Sequence, residues 1–187
     1  MAACWWPNYE SKEEKVVSQS LGSIAIVGDI LIDIAREVTF ARWSPENNEC
    51  PIGMDERRTL TLGGAANVAR WLKGLCPGHN ICLHGHAGYH GTGASDLINL
   101  TRDADVYLAP PLLRPHGHIT TKERLYLTQP GMSPRTRQVL RSDDDTTMQV
   151  TAEEVDGLLS YLQMRAKREP AIQAVVVADY DKGVFTG

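Results

Sequence analysis

Ser23-Ile24-Ala25-Ile26-Val27-Gly28-Asp29 is the stretch on which the fold turns. An apolar, largely β-branched run that closes on Gly-Asp is what a buried parallel strand looks like in sequence. Residues 30–40 stay apolar, with Asp33, Arg36 and Glu37 interspersed, and Val38 to Trp43 reads as an outlying strand. Ser44 to Asp55 is rich in Pro, Asn and Glu and reads as a loop. Thr59 to Leu62 is a short extended piece that runs into Gly63-Gly64.

A helix follows the two glycines, because apolar residues at Ala65, Val68, Ala69 and Leu72 repeat at helical spacing. Gly74 and Cys76-Pro77-Gly78 end it. Asn80 to Ala87 is a second strand, Gly91 to Thr101 a second helix and Val106 to Leu108 a third short strand. Gly117 to Thr128 and Thr136 to Arg141 read as extended segments about the turn Gln129-Pro130-Gly131. Thr151-Ala152-Glu153-Glu154 is a capping box and opens a helix running to about Arg168. Val155, Leu158, Leu159 and Leu162 would share its inner face. Ala171 to Ala178 repeats the buried-strand pattern and ends in Asp179-Tyr180-Asp181-Lys182-Gly183. Strands alternating with helices imply an α/β domain with a mainly parallel sheet. Ligands of such sheets bind beyond the carboxyl ends of strands, which singles out Asp29, Asp33 and Asp179.

The 187 residues suit one domain with a real core, and their net charge of -4 argues against nucleic-acid binding. Arg135, Arg137 and Arg141 are followed at once by Asp143, Asp144 and Asp145. No segment reaches the roughly 18 apolar residues of a membrane helix, and residues 1–7 lack the basic flank of a signal peptide. Cys4, Cys50, Cys76 and Cys82 form no CxxC pair and read as reduced thiols of a cytoplasmic protein. His84, His86 and His90, and His116 and His118, lack the Cys or carboxylate that would complete a metal set, so structural or solvent-facing roles are expected. Residues 1–22 form an extension in which Glu10 to Ser20 is a short helix or an arm and Trp5-Trp6 packs locally.

Two motifs carry chemistry. In Gly28-Asp29-Ile30-Leu31-Ile32-Asp33, carboxylates near a strand end can accept hydrogen bonds from vicinal hydroxyls. In Leu62-Gly63-Gly64-Ala65-Ala66-Asn67-Val68-Ala69, bare backbone lets a ligand approach, and the helix start offers free N–H groups. Asn67, one turn in, can both donate and accept.

The pairing of GDILID with LGGAANVA resembles the amino-terminal signature of ribokinase-type (PfkB) carbohydrate kinases. Arg42-Trp43-Ser44-Pro45-Glu46 through Cys50-Pro51 is similar to a segment of the heptose 7-phosphate kinase branch, which serves ADP-heptose synthesis in bacteria. Thr120-Thr121-Lys122, the stretch to Arg141 and residues 176–183 resemble later family segments in the same order. The resemblance implies a ribokinase-like sheet flanked by helices over residues 23–187, with a small β-lid from segments near 34–62 and 117–141. It implies that Asp33, Gly63, Gly64 and Asn67 bind sugar hydroxyls. It places Lys122 and Arg141 toward the substrate or its phosphate, and Asp179 and Lys182 near the transferred phosphoryl group. ATP and Mg²⁺ are the family's cofactors, and a sugar phosphate is its partner.

One departure limits the expectation. The family's catalytic base lies in a G-A-G-D motif, and neither that motif, an N-x-x-E motif nor a Walker A pattern occurs in these residues. Gly91 to Asp96 is a faint likeness that falls too early and reads as a loop entering a helix. The carboxyl-terminal nucleotide-binding part is therefore expected to be absent, and no residue of the chain is assigned a catalytic role. The expected function is the sugar-binding portion of an ATP-dependent sugar-phosphate kinase. The alternative is a non-catalytic sugar-phosphate-binding, structural or regulatory subunit. The strand ending at Ala178 would expose an apolar edge, which argues for a homo-oligomer or a partner chain.

Overall fold

The computed structural model describes residues 21–88, 93–109, 113–114, 119–129, 136–144, 150–168 and 171–185. Expectations for Cys4, Trp5-Trp6, residues 10–20, His90, His116, His118, Pro130-Gly131 and Arg135 fall outside them. Eight strands form the sheet: β1 (Ser23–Trp43), β2 (Pro51–Gly63), β3 (Asn80–Gly88), β4 (Tyr107–Leu108), β5 (Leu113–Arg114), β6 (Thr120–Thr128), β7 (Thr136–Asp144) and β8 (Ile172–Ala178). Among the described residues three helices accompany them: α1 (Gly64–Leu75), α2 (Ala94–Asp103) and α3 (Ala152–Ala166). The α/β, mainly parallel architecture read from the sequence is what the chain adopts.

β1 organises everything. It does not end at Asp29, as expected, but continues unbroken for 21 residues. Its first third pairs in parallel with β3 on one side and β8 on the other, and β4 extends this core sheet beyond β3. From Leu31 onward the same strand pairs antiparallel with β2 and parallel with β6, and β7 adds antiparallel to β6. These strands make an outer sheet from the segments expected to form a lid. The supposed loop at residues 44–55 is a loop only as far as Cys50, because Pro51 to Asp55 already belong to β2. Cross-strand pairing with β1 overrides the loop-like composition there.

Burial follows the same division. Residues 23–32 of β1 are buried, whereas Ala41, Arg42 and Trp43 are exposed. Even-numbered residues Ile24, Ile26, Ile30, Ile32 and Ile34 join the main core with Ala65, Ala66 and Ala69 of α1. Those alanines let α1 lie close on the sheet. Odd-numbered Val27 faces the other way, into a smaller cluster with Leu158 of α3 and Val184. The expected four-residue face of α3 is half covered, with Leu158 and Leu162 packed in the smaller cluster. Leu158 is buried, but Val155 and Leu159 are exposed, since α3 packs chiefly on the narrow edge strand β8. The capping box is present: Thr151 Oγ1 accepts from the Glu154 N–H at 3.3 Å and Glu154 Oε2 from the Thr151 N–H at 2.8 Å. Val175 and Val177 of β8 are exposed, and among the described residues β8 pairs with β1 alone. No described helix is long and apolar enough to cross a membrane.

His84 is buried, with Val27 as its parallel neighbour, and the side chain of His86 is outside the described set. Cys50, Cys76 and Cys82 are free thiols.

Candidate functional site

Asp29 and Asp33 lie on one face of β1, four residues apart, which is about 13 Å at ~3.3 Å per residue. Their surroundings differ. Asp29 is buried, and its carboxylate accepts three backbone N–H groups: from Tyr180 at 2.8 Å and Lys182 at 3.2 Å on Oδ2, and from Val184 at 3.1 Å on Oδ1. It is therefore the anchor of the loop after β8 and not a ligand-facing acceptor. Asp179 on that loop is exposed, and its Oδ1 accepts from the Asp181 N–H at 2.9 Å. Lys182 is half-buried beside the anchor.

Asp33 sits just past the point where β1 leaves the core sheet. Its neighbours in register are Thr61 of β2 and Lys122 of β6, and Lys122 in turn lies opposite Asp143 of β7. Residues directly opposite project from the same face. Two positions along, Ala35 pairs with Arg124, and Arg124 with Arg141. One face of the outer sheet thus gathers Asp33, Lys122, Arg124, Arg141 and Asp143. Arg124 Nη1 donates to Asp33 Oδ1 at 2.7 Å. Arg141 grips Asp143 with two bonds, Nε to Oδ1 at 2.7 Å and Nη2 to Oδ2 at 2.6 Å. Those bonds, chiefly, hold the Asp143 carboxyl below its usual range, and the charges of Arg141, Lys122 and Arg124 add to the effect.

Gly63 and Gly64 border Asp33 for steric reasons. A Cβ at Gly63 would stand 2.6 Å from Asp33 Oδ2, so only glycine leaves that carboxylate its place. Gly64 has φ +54°, and a Cβ there would also strike the Leu31 side chain and the Asp29 carbonyl oxygen. α1 starts here with Gly63 as its N-cap, no side-chain cap and no acidic residue in its first turn. The bridge between Gly64 and Ile30 ties this start to β1, and the positive dipole end of the helix stands beside Asp33. Asn67 is one turn in. Its Oδ1 accepts from Arg70 Nη2 at 2.9 Å and Nε at 3.3 Å, which leaves its amide nitrogen to donate. Arg70 itself lies over the Trp71 ring.

The structure accordingly brings Asp33, Gly63, Gly64, Lys122 and Arg141 to one region, with Asn67 at its margin. Asp179 and Lys182 are instead on the loop held by Asp29. Sequence reasoning gave Arg124 no role at the site and missed the pairing of Arg141 with Asp143. Both follow a same-face spacing of two in a strand, from Lys122 to Arg124 and from Arg141 to Asp143. Among the described residues no group of three or more His, Cys, Asp or Glu could hold a metal ion.

No protein-family model matches the chain. Curated relatives do. The chain is 31% identical over 165 residues to the "Bifunctional protein HldE" of Desulfatibacillum aliphaticivorans, covering 87% of this chain and 30% of that protein. It is 27% identical over 174 residues to HldE of Sulfurimonas denitrificans, covering 92% and 33%. The chain thus spans about a third of the length of these relatives. Among solved structures, a Clostridium perfringens protein assigned as a sugar kinase superposes with a TM-score of 0.55 at 13% identity, over 76% of this chain and 41% of that one. Escherichia coli phosphofructokinase-2 in complex with potassium gives 0.50 at 16% identity, over 84% and 44%. The resemblance drawn from GDILID and LGGAANVA is borne out by the HldE relatives, and the fold is that of ribokinase-like carbohydrate kinases.

Proposed function

Starting from a chain homologous to HldE over most of its length and folded as carbohydrate kinases are, we propose that it is the sugar-binding portion of a sugar-phosphate kinase. Its ligand is a heptose 7-phosphate or a close relative. The observation that carries this reading is Asp33. Its carboxylate stands half-exposed over the bare backbone of Gly63, beside the uncapped start of α1. That arrangement sets a carboxylate acceptor against bare backbone at a helix start within one small region, which suits vicinal hydroxyls. Lys122 and Arg141, on the same face of the outer sheet, supply positive charge for the phosphate already on the sugar. The outer sheet serves as the lid over the sugar, and water exclusion beneath it protects phosphoryl transfer from hydrolysis. Asp179 and Lys182 line the side where the phosphoryl group arrives.

Phosphoryl transfer to a sugar hydroxyl needs a base and an anion-stabilising helix start. Neither a G-A-G-D motif nor a Mg²⁺-holding cluster is found in the residues described above, so the chain is assigned the acceptor side of the reaction only. ATP and Mg²⁺ are expected to act with residues other than these. A sugar-phosphate-binding subunit without turnover is the second reading, favoured by the same lack of G-A-G-D.

The test is calorimetric binding of heptose 7-phosphate to the 187-residue chain, run beside ADP release with Mg²⁺-ATP. Binding that weakens by roughly tenfold or more in Asp33→Ala, without ADP release above that variant, is the expected result. Absence of binding sinks the proposal. Turnover would show that the chain carries its own catalytic base.

A further inference from the structure

The two oxygens of the Asp33 carboxylate have separate surroundings. Oδ1 takes the Arg124 guanidinium at 2.7 Å. Oδ2 lies over Gly63, where a Cβ would come within 2.6 Å, and it has no hydrogen-bond donor among the described residues. The three groups come from three strands: Asp33 from β1, Gly63 from β2 and Arg124 from β6. Neither partner of the ion pair is fully wet, with the side chains of Arg124 and Asp33 29% and 31% exposed.

From this geometry we infer that Arg124 is a positioning residue for sugar recognition: it fixes the Asp33 carboxylate so that Oδ2 alone is presented to a substrate hydroxyl. The inference rests on the sugar-binding reading above and adds a residue to it. An Asp side chain on a half-exposed strand has two free torsions. A guanidinium locks both through a short charge-assisted bond, and its planar, always-charged fork does so better than an ammonium would. Without Arg124, the carboxylate can rotate either oxygen toward solvent, and ordering it falls to the ligand. Arg124 also keeps Asp33 from pairing with Lys122, its direct cross-strand neighbour. Lys122 then keeps its charge for the ligand.

The experiment is titration calorimetry of the whole chain with heptose 7-phosphate and its monodeoxy analogues, on wild type, Asp33→Ala, Arg124→Gln and Arg124→Lys. The analogue that Asp33→Ala and wild type bind equally identifies the hydroxyl read by Asp33. Arg124→Gln should weaken the parent sugar roughly tenfold, as expected for one lost ordered charged hydrogen bond, and should leave that analogue unaffected. Arg124→Lys should recover part of the loss. Equal weakening of parent and analogue would make Arg124 a phosphate contact or a packing residue and overturn the inference, as would unchanged binding in Arg124→Gln. Should Arg124→Gln fail to fold, the Arg124→Lys comparison of parent and analogue decides in the same way. A wild-type chain that binds none of the sugars would instead reject the sugar-phosphate reading, and the arginine's role with it.

Discussion

Asp29 and Asp33 share one face of one strand, yet one is structural and the other is available. The difference lies in which sheet surrounds them. At Asp29, β1 is flanked by β3 and β8, and the loop after β8 folds back to spend three N–H groups on the carboxylate. At Asp33 the flanking strands are β2 and β6, and a single guanidinium meets one oxygen. The core half of β1 satisfies its acid on both oxygens, and the outer half leaves one oxygen of its acid open. A buried acid with saturated hydrogen bonds is a stability device, whereas a half-exposed one beside bare backbone suits the recognition proposed for Asp33.

The largest expected effect breaks the core side of this contrast. Asp29→Ala leaves three backbone donors without their acceptor and should cost about 4 kcal/mol, seen as a lower urea midpoint with the loop at 179–184 opened to proteolysis. If stability were unchanged, Asp29 would not be the anchor. His84 gives the next largest effect, also on the core side. It is buried against the Tyr161 ring at 5.2 Å, and its ring nitrogens have no partner among the described residues. Burial first, and the Arg165 charge second, push its pKa from 6.5 down to about 4. Above pH 6.5 the residue is neutral in both states and costs nothing. As pH falls the unfolded chain takes the proton first, so stability drops progressively and levels off near pH 4. The loss should be about 2–3 kcal/mol between pH 7.5 and 4.5 in urea titrations, and His84→Phe should flatten that slope.

On the outer side, Asp33→Ala should change stability by less than about 1 kcal/mol, because a half-exposed ion pair contributes little. Sugar-phosphate binding, in contrast, should weaken by roughly tenfold or more. A large stability loss there would erase the distinction between the two carboxylates. The smallest effect belongs to Arg141→Ala, which should leave the melting temperature within about 1 °C while weakening binding of the phosphorylated sugar.

The same division explains what could be read from the sequence. The apolar run at Ser23 to Asp29, the Gly63-Gly64 helix start and the Thr151 capping box each contain their own cause, so they were legible. The outer sheet was not. Pro51 to Asp55 carries Pro, Gly and Asp, and it is extended only because Thr39, Phe40 and Trp43 of β1 offer it a ladder. That information lies in another segment. The expected inner face of α3 failed for a related reason: Val155 and Leu159 have the right period, but the described residues offer them no surface to cover. At the site, Asp33, Gly63 and Asn67 were singled out by motif, whereas Arg124 needed a contact 91 residues away in sequence.

β1 is, in mechanical terms, a leaf spring clamped at one end. Its root is gripped on both sides by β3 and β8, and its far end carries the outer sheet without an intervening joint. Its pairing with β2 is irregular between Glu37 and Val38 and between Phe40 and Arg42, both beyond Asp33. A cantilever of this kind deflects most at its tip and least near its clamp. Asp33, just above the clamp, would keep its bearing while the tip swings, so a load applied at Trp43 scarcely disturbs the acceptor beneath it.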